Sequence, residues 1–250
     1  MIEDEIRARL TQRFLAAQTP WGRWRLNAYV GWKSSLWRLV VNVTLFVKRT
    51  FDIVVSFVAL VLLLPVFALL AVLVKLDGGP VFSRQKRIGL RGREFNILKF
   101  RTVVVNAEAR LKDLAAQTGR EAGAKLRMDD DPFVTEVGSF LRRISLDELP
   151  QFWNVLRGEM SLVGPHAPMP REVTHYSQAD MRRLSVKPGM TCLWQVRSSG
   201  DGLRGIGNRG TMRFSEEVKL DVRYIESQSI WLDLMILMKT VVAVLFGRGM

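Results

Sequence analysis

The stretch Leu141-Arg142-Arg143-Ile144-Ser145-Leu146-Asp147-Glu148-Leu149-Pro150-Gln151 sets two adjacent carboxylates just downstream of two guanidinium groups. A local role is open to the acids. Ser145 and Glu148 have the S-x-x-E spacing of a capping box. Alternatively, Asp147 is itself an N-cap, which places Pro150 at the third helical position, where its missing N–H costs little. The same geometry serves chemistry. A carboxylate at a helix N-terminus is held ionised by the helix dipole, and Arg142 and Arg143 deepen that effect. An ionised Asp is a nucleophile toward phosphorus, and a neighbouring Glu supplies oxygen for a hard cation such as Mg²⁺. A second pair of charges, Lys99 and Arg101, lies in the extended run after Gly92. The period of two puts both on one face of a strand, where an anion between them would relieve their repulsion.

The elements that must position these groups begin with VFSRQKRIGLRGREFNILKFRT, two extended runs around Gly89-Leu90-Arg91-Gly92, read as a β-hairpin. Asn106 reads as the cap of a helix, NAEARLKDLAA, with Glu108 and Lys112 at i,i+4. Residues 117–130 read as a polar loop. Residues 197–213 hold five glycines and four arginines and read as a long lid-like loop. Its glycines form neither GxGxxG after a strand nor GK[ST].

Upstream, Ile53 to Val74 runs 22 residues without a charge, the length of a bilayer-spanning helix. Pro65 interrupts it. Residues 1–49 carry nine Lys/Arg against three acids, and the remainder is also net basic, so charge favours the same compartment for both flanks. A helix that enters, breaks at Pro65 and returns satisfies both, and is preferred here to a spanning anchor. Trp21, Trp24, Trp32 and Trp37, interleaved with Arg23, Arg25, Lys33 and Arg38, suit a headgroup region. Ile230–Phe246 is strongly apolar, and either a core helix or a second surface-lying helix accounts for it.

The net charge of +13 points to an anionic partner: nucleic acid, an acidic membrane or a phosphorylated substrate. Neither a helix-turn-helix, nor a zinc finger, nor an aromatic RNA-binding motif occurs, so no nucleic-acid partner is expected. Cys192 is the only cysteine and excludes an intrachain disulfide. With two histidines, any metal is expected to be a hard cation on carboxylates and substrate phosphates.

KRTFDIVVSFVALVLLLP, GPVFSRQKRIGLRGREFNILKFRT, SLDELPQFWNVLRGEMSLVGP, VKPGMTCLWQV and LDVRYIESQSIWLDLMILMKT together resemble the bacterial sugar transferases, the monotopic polyprenyl-phosphate phosphoglycosyl transferases, over residues 48 to about 249. The resemblance implies an α+β, helix-rich fold. Residues 1–47 would form a basic, Trp-rich amphipathic extension, and 48–76 a re-entrant membrane helix broken at Pro65. Residues 77–250 would form one catalytic domain at the cytoplasmic face of the inner membrane, with a small β-hairpin and interfacial helices. It implies Asp147 and Glu148 as catalytic and Mg²⁺-binding dyad, with Lys99, Arg101, Arg142, Gln151 and Arg171 on substrate phosphate. The implied reaction moves a sugar-1-phosphate from a nucleotide diphosphate sugar to a polyprenyl phosphate through a phospho-Asp intermediate, starting a cell-surface glycan. A homo-oligomer stays open. Three departures stand out. The family's GPRP is Gly164-Pro165-His166-Ala167-Pro168 here. Its DPRxTRxG is Asp131-Pro132-Phe133-Val134-Thr135-Glu136-Val137-Gly138, and Cys192 replaces a typical glycine. They leave a degenerate family member as one alternative, and the basic charge and tryptophans motivate another, a membrane-anchored adaptor or nucleic-acid-binding protein.

Overall fold

The computed structural model describes residues 11, 15, 18–105, 133–196 and 214–245. The expected helix at 106–116 and the loops at 117–130 and 197–213 lie outside the described residues. The chain divides into a unit of residues 1–50 and a unit of residues 51–250. Helix α1, Pro20–Leu62, begins in the first unit and ends in the second. Within the first unit Trp21 and Trp24 stack at 5.1 Å, and Trp21, Trp24, Trp32 and Trp37 are all exposed.

In the second unit α1 ends at Leu62 and helix α2, Leu64–Leu76, follows, bent by 62°. Pro65 sits in the first turn of α2, where a missing N–H is tolerated and the ring fixes the backbone angle. The proline break is therefore a feature of the described geometry. One face of the bent pair is buried through Asp52, Ser56, Leu70 and Val74. The remaining surface keeps Phe57, Leu62, Leu64, Leu69, Val72 and Leu76 exposed. Asp52 is the polar anchor of this pair, accepting a hydrogen bond from Leu162 N–H at 3.1 Å.

Strands β1, Phe82–Ile88, and β2, Glu94–Phe100, form the expected antiparallel hairpin. Its turn closes with Gly89 N–H donating to Arg93 O at 2.8 Å. Arg91 and Gly92 both take positive φ there, which a glycine adopts without strain. Helix α3, Glu136–Arg143, is capped by Thr135, whose Oγ1 accepts from Gly138 N–H at 2.9 Å. Helix α4, Gln151–Arg157, ends at Gly158 in the left-handed conformation, the usual helix stop.

A second, parallel pair joins β3, Ser161–Val163, to β4, Gly189–Thr191, an element the periodicity did not reveal. A Cβ on Gly189 would lie 2.1 Å from Gly164 N, so this crossing requires glycine. The short helix α5, Pro170–Val173, precedes the pair's second strand. Helices α6, Phe214–Glu226, and α7, Ile230–Leu245, complete the unit. Tyr224 Oη lies 2.7 Å from Asp233 Oδ1 and 3.0 Å from Val163 O, tying both helices to β3. Arg183 pairs with Asp221 at 2.6 Å, both buried. Helix α7 buries Asp233 and Ile236, as a core helix does, while Trp231, Met238 and Val241 are exposed. The described architecture is thus helix-rich α+β, with a small antiparallel hairpin and a long bent helix pair.

Candidate active site

Asp147 and Glu148 lie in a 3₁₀ turn, Leu146–Glu148, between α3 and α4. Neither caps a helix. Ser145 enters the turn with φ of 56° and its side chain makes no capping bond. The residue preceding α4 is Pro150, which likewise caps nothing with its side chain. Both capping readings of the sequence are corrected by this geometry: the chain is still turning at Asp147, and the helix starts only after the proline. The carboxylates are therefore left to other partners.

Lys99 is that partner. Its Nζ donates to Glu148 Oε1 at 2.5 Å and lies 3.7 Å from Asp147 Oδ2. Asp147 is only 7% exposed. Burial pushes its carboxyl above the ordinary Asp range, Lys99 and Arg142 pull it down, and Glu148 pushes it up again. The net direction is upward, which reverses the expectation of a carboxylate simply held ionised by a helix dipole. The loss of solvation exceeds what the two cations return.

Each cation is placed by its own element. Lys99 comes from β2, whose edge is held by Asn154 of α4: Asn154 Oδ1 accepts from Leu98 N–H at 2.9 Å, and Nδ2 donates to Asn96 O at 2.8 Å. Arg142 comes from α3, its Nε donating to Thr102 Oγ1 at 3.0 Å. A Cβ on Gly138 would sit 2.1 Å from Thr102 O, so glycine is what lets α3 approach the end of the hairpin this closely. Arg101 has a different position from the one its strand period suggested. Its guanidinium donates to Pro80 O, Val74 O, Val103 O and Gly78 O, binding the turn after α2 rather than standing beside Lys99. Gln151 is buried and lines a small polar recess with Lys99 and Glu148. Arg171 is exposed on α5, outside the lining of that recess.

The recess, about 20 Å³, is also lined by Arg87, His166 and Gly189. Arg87 was not singled out from the sequence, yet the signal was present. The register pairs Ser83 with Lys99, Gln85 with Ile97 and Arg87 with Phe95, so counting by twos across the hairpin places Arg87 on the face of Lys99. Its Nη1 donates to Ala167 O at 3.0 Å. Of the departures, His166 lines the recess. Phe133 lies outside it, its carbonyl accepting from Val104 N–H at 2.8 Å. Cys192 is buried, and Gln195 Oε1 accepts from both its N–H and its Sγ.

On the other side of the turn lies a larger, almost wholly apolar cleft of about 260 Å³, walled by the 3₁₀ turn, α4, β3–β4 and α7. Glu148 and Met190 line both cavities. Asp147 lines neither and stands one residue behind the shared wall. Among the described residues, no three His, Cys, Asp or Glu side chains gather as a self-sufficient metal cage. Two carboxylates suit Mg²⁺, which takes one or two protein oxygens and completes its shell from phosphates and water.

A family model described as bacterial sugar transferase matches residues 43–247. The chain belongs to the bacterial sugar transferase family. This transferase is 42% identical over 205 residues to the galactosyl transferase CpsE of Streptococcus agalactiae serotype III, covering 82% of this chain and 43% of that protein. It is 39% identical over 206 residues to the exopolysaccharide production protein ExoY of Rhizobium meliloti, covering 81% of this chain and 87% of ExoY. The undecaprenyl-phosphate galactose phosphotransferase of Salmonella typhimurium is 39% identical over 207 residues, 82% of this chain and 41% of that enzyme. The chain thus spans under half the length of two of these relatives and most of the third.

The raised Asp147 carboxyl makes a prediction about stability. A folded-state pKa above the unfolded one favours the folded state most at acid pH, and that contribution is lost as pH rises through the folded value. At neutral pH the buried charge therefore works against the fold. Asp147→Asn is expected to leave the melting temperature at pH 7 unchanged or raise it. A fall of about 2–4 °C, the size of a lost cap in a domain of this length, would restore the capping role.

Proposed function

We propose that this transferase moves a sugar-1-phosphate from a nucleotide diphosphate sugar onto a polyprenyl phosphate at the membrane, starting a cell-surface glycan. The observation that carries this reading is the Asp147–Glu148 pair bridged by Lys99, with Asp147 buried and Glu148 on the wall shared by a polar recess and an apolar cleft. The likeness to the undecaprenyl-phosphate galactose phosphotransferase of Salmonella typhimurium supports it.

In the proposed first step an Asp147 carboxylate oxygen attacks the sugar-bearing phosphorus. The bond from that phosphorus to the bridging oxygen breaks, and nucleoside monophosphate leaves. In the second step a lipid phosphate oxygen attacks the same phosphorus and the acyl–phosphate bond breaks. The products are a lipid diphosphate sugar and a regenerated carboxylate, and both steps balance without an added proton. An arriving phosphate competes with Glu148 for Lys99, opens the recess and keeps a cation beside the transferring group. Arg142 and Arg87 add positive charge, and Gln151 is a donor at the same wall. Mg²⁺, held by Asp147 and Glu148, would neutralise diphosphate charge that otherwise repels the nucleophile.

The membrane reading is part of the proposal. The exposed apolar surface of α1 beyond residue 50 and of α2 exceeds what a water-facing surface carries without a partner, and the bend at Leu63 and Pro65 fits a helix pair that enters and leaves one face of a bilayer. The catalytic unit then lies on the cytoplasmic face of the inner membrane.

Four outcomes test this. Solubilised protein with Mg²⁺, polyprenyl phosphate and a panel of nucleotide sugars should release nucleoside monophosphate, and Asp147→Asn or a chelator should reduce release by at least a thousandfold. Acid-quenched enzyme should carry the phosphate on Asp147; phosphate on Glu148 would exchange the two roles, and no release with any donor would sink the enzyme reading. Because Lys99 lowers the Asp147 pKa, Lys99→Met should raise it, moving the acid limb of the kcat/KM profile to higher pH; an unmoved limb would separate Lys99 from the nucleophile. In intact cells, tags at both termini should resist external protease, and digestion of one would replace the re-entrant pair by a spanning helix.

A further inference from the structure

Residues 20–42 lie outside the stretch that the family model matches and take no part in the site described above. They belong to the first unit, as the N-terminal part of α1. From Pro20 to Thr50 the chain carries six Lys or Arg and no acid. Its large apolar side chains face water: Trp21, Trp24, Tyr29, Trp32, Leu36 and Trp37 are each between 46% and 69% exposed. Helical spacing sorts these groups. At 3.6 residues per turn, Arg23, Asn27, Ser34 and Arg38 fall on one face, and Trp21, Tyr29, Trp32 and Leu36 on the opposite one. Trp24 and Trp37 stand near the two boundaries between them. Two cations, Arg25 and Lys33, fall within the aromatic face. Lys33 Nζ lies over the Tyr29 ring, 5.9 Å from its centroid. Arg38, on the polar face, is tied back along its own helix, donating to Ser34 O and Ser35 Oγ, each at 3.4 Å. The helix therefore has one polar side and one aromatic side with cations set into it. Long stems let such cations reach a layer of phosphates while the rings beside them sit in apolar surroundings.

We propose that residues 20–38 form a surface-lying helix that binds anionic phospholipid headgroups, with Arg25 and Lys33 on lipid phosphate and Arg23 and Arg38 turned to water. The inference rests on the membrane reading of the chain and concerns a different surface from the bent helix pair. Charge and composition decide the occupant. A second copy of this helix would bring its own six cations and no acid, so the two would repel. Nucleic acid would meet the cations and stack on the rings, but it would leave Leu36 and the exposed run of Leu39, Val40, Val43, Leu45 and Phe46 in water. An anionic bilayer surface satisfies both kinds of group, since phosphates lie directly above hydrocarbon. Each cation near such a surface contributes about fivefold in binding.

The test uses the full chain in lipid nanodiscs, made of phosphatidylcholine alone or with about one-third phosphatidylglycerol. A fluorophore is attached through Leu36→Cys, on the aromatic face, or through Ser34→Cys, on the polar face; Cys192 is buried and stays unlabelled. On the anionic discs, lipids brominated in their acyl chains should quench the label at position 36, while aqueous iodide reaches the label at position 34. High salt should reverse the first result by screening. Phosphatidylcholine alone should give a ratio of seated to lifted helix at least tenfold lower. Arg25→Gln or Lys33→Gln should each lower that ratio about fivefold on anionic discs. Arg23→Gln or Arg38→Gln should lower it twofold at most, because a helix diameter of about 10 Å puts them beyond the Debye length. Equal seating on the two lipids, at low and high salt, would overturn the anionic assignment, and that comparison needs none of the four charge variants. Equal effects of the four variants would overturn the orientation. Iodide access at both positions on anionic discs, with protection by polyuridylate, would give the surface to nucleic acid instead. The salt wash also separates this helix from the re-entrant pair. Protein retained on the discs with its helix lifted supports the assignment, whereas protein washed off altogether would overturn the membrane-embedded pair on which it rests.

Discussion

The side chain of Asn154 holds the site together. Strand β2 has one edge paired with β1 and the other open, and an unpaired strand edge leaves backbone donors and acceptors that must find partners. The Asn154 amide takes the Leu98 N–H and the Asn96 carbonyl, as a third strand would, but from a helix. A second bond from its Nδ2 to Glu159 Oε2 at 2.7 Å fixes the amide's orientation. Because α4 follows the acidic turn directly, this one side chain sets the distance between Lys99 on the strand and the two carboxylates ahead of the helix. The ion pairs, the lowered part of the Asp147 titration and the wall shared by the two cavities all follow from that distance.

Burial and charge oppose each other at the acids, and the balance is chemically useful. A fully solvated Asp would be ionised but weakly reactive, and a buried Asp without cations would be protonated and inert at neutral pH. Lys99 and Arg142 recover part of the ionisation that burial costs. In the proposed reaction, a lysine pinned between two acids is displaceable by a more highly charged anion.

Much of this could be read from the chain before any coordinates. The hairpin was legible because turn chemistry at Gly89–Gly92 and period-two patterning are local signals. The break at Pro65 was legible because proline lacks a donor wherever it falls. The acidic pair was legible as a candidate site, but its surroundings were not. Spacing suggested a cap, and the turn that removes both acids from capping depends on how α3 and α4 dock, which neither helix encodes alone. Arg101 shows the same limit. Period two placed it beside Lys99, but β2 ends at Phe100, and one residue past a strand the alternation no longer binds. The parallel β3–β4 pair was hidden because each partner is three residues long, too short to show a period.

Arg101 has a mechanical consequence. The turn Asp77-Gly78-Gly79-Pro80 joins α2 to the hairpin, and both glycines take left-handed backbone angles, which by themselves would make a loose joint. One planar guanidinium, buried to 5% exposure, spans carbonyls of Val74 at the end of α2, of Gly78 and Pro80 within the turn, and of Val103 beyond the strand. The joint is thereby braced by a side chain rather than by its own backbone. The end of the apolar helix and the strand that carries Lys99 are thus held together by one side chain, and loss of its guanidinium would free both at once.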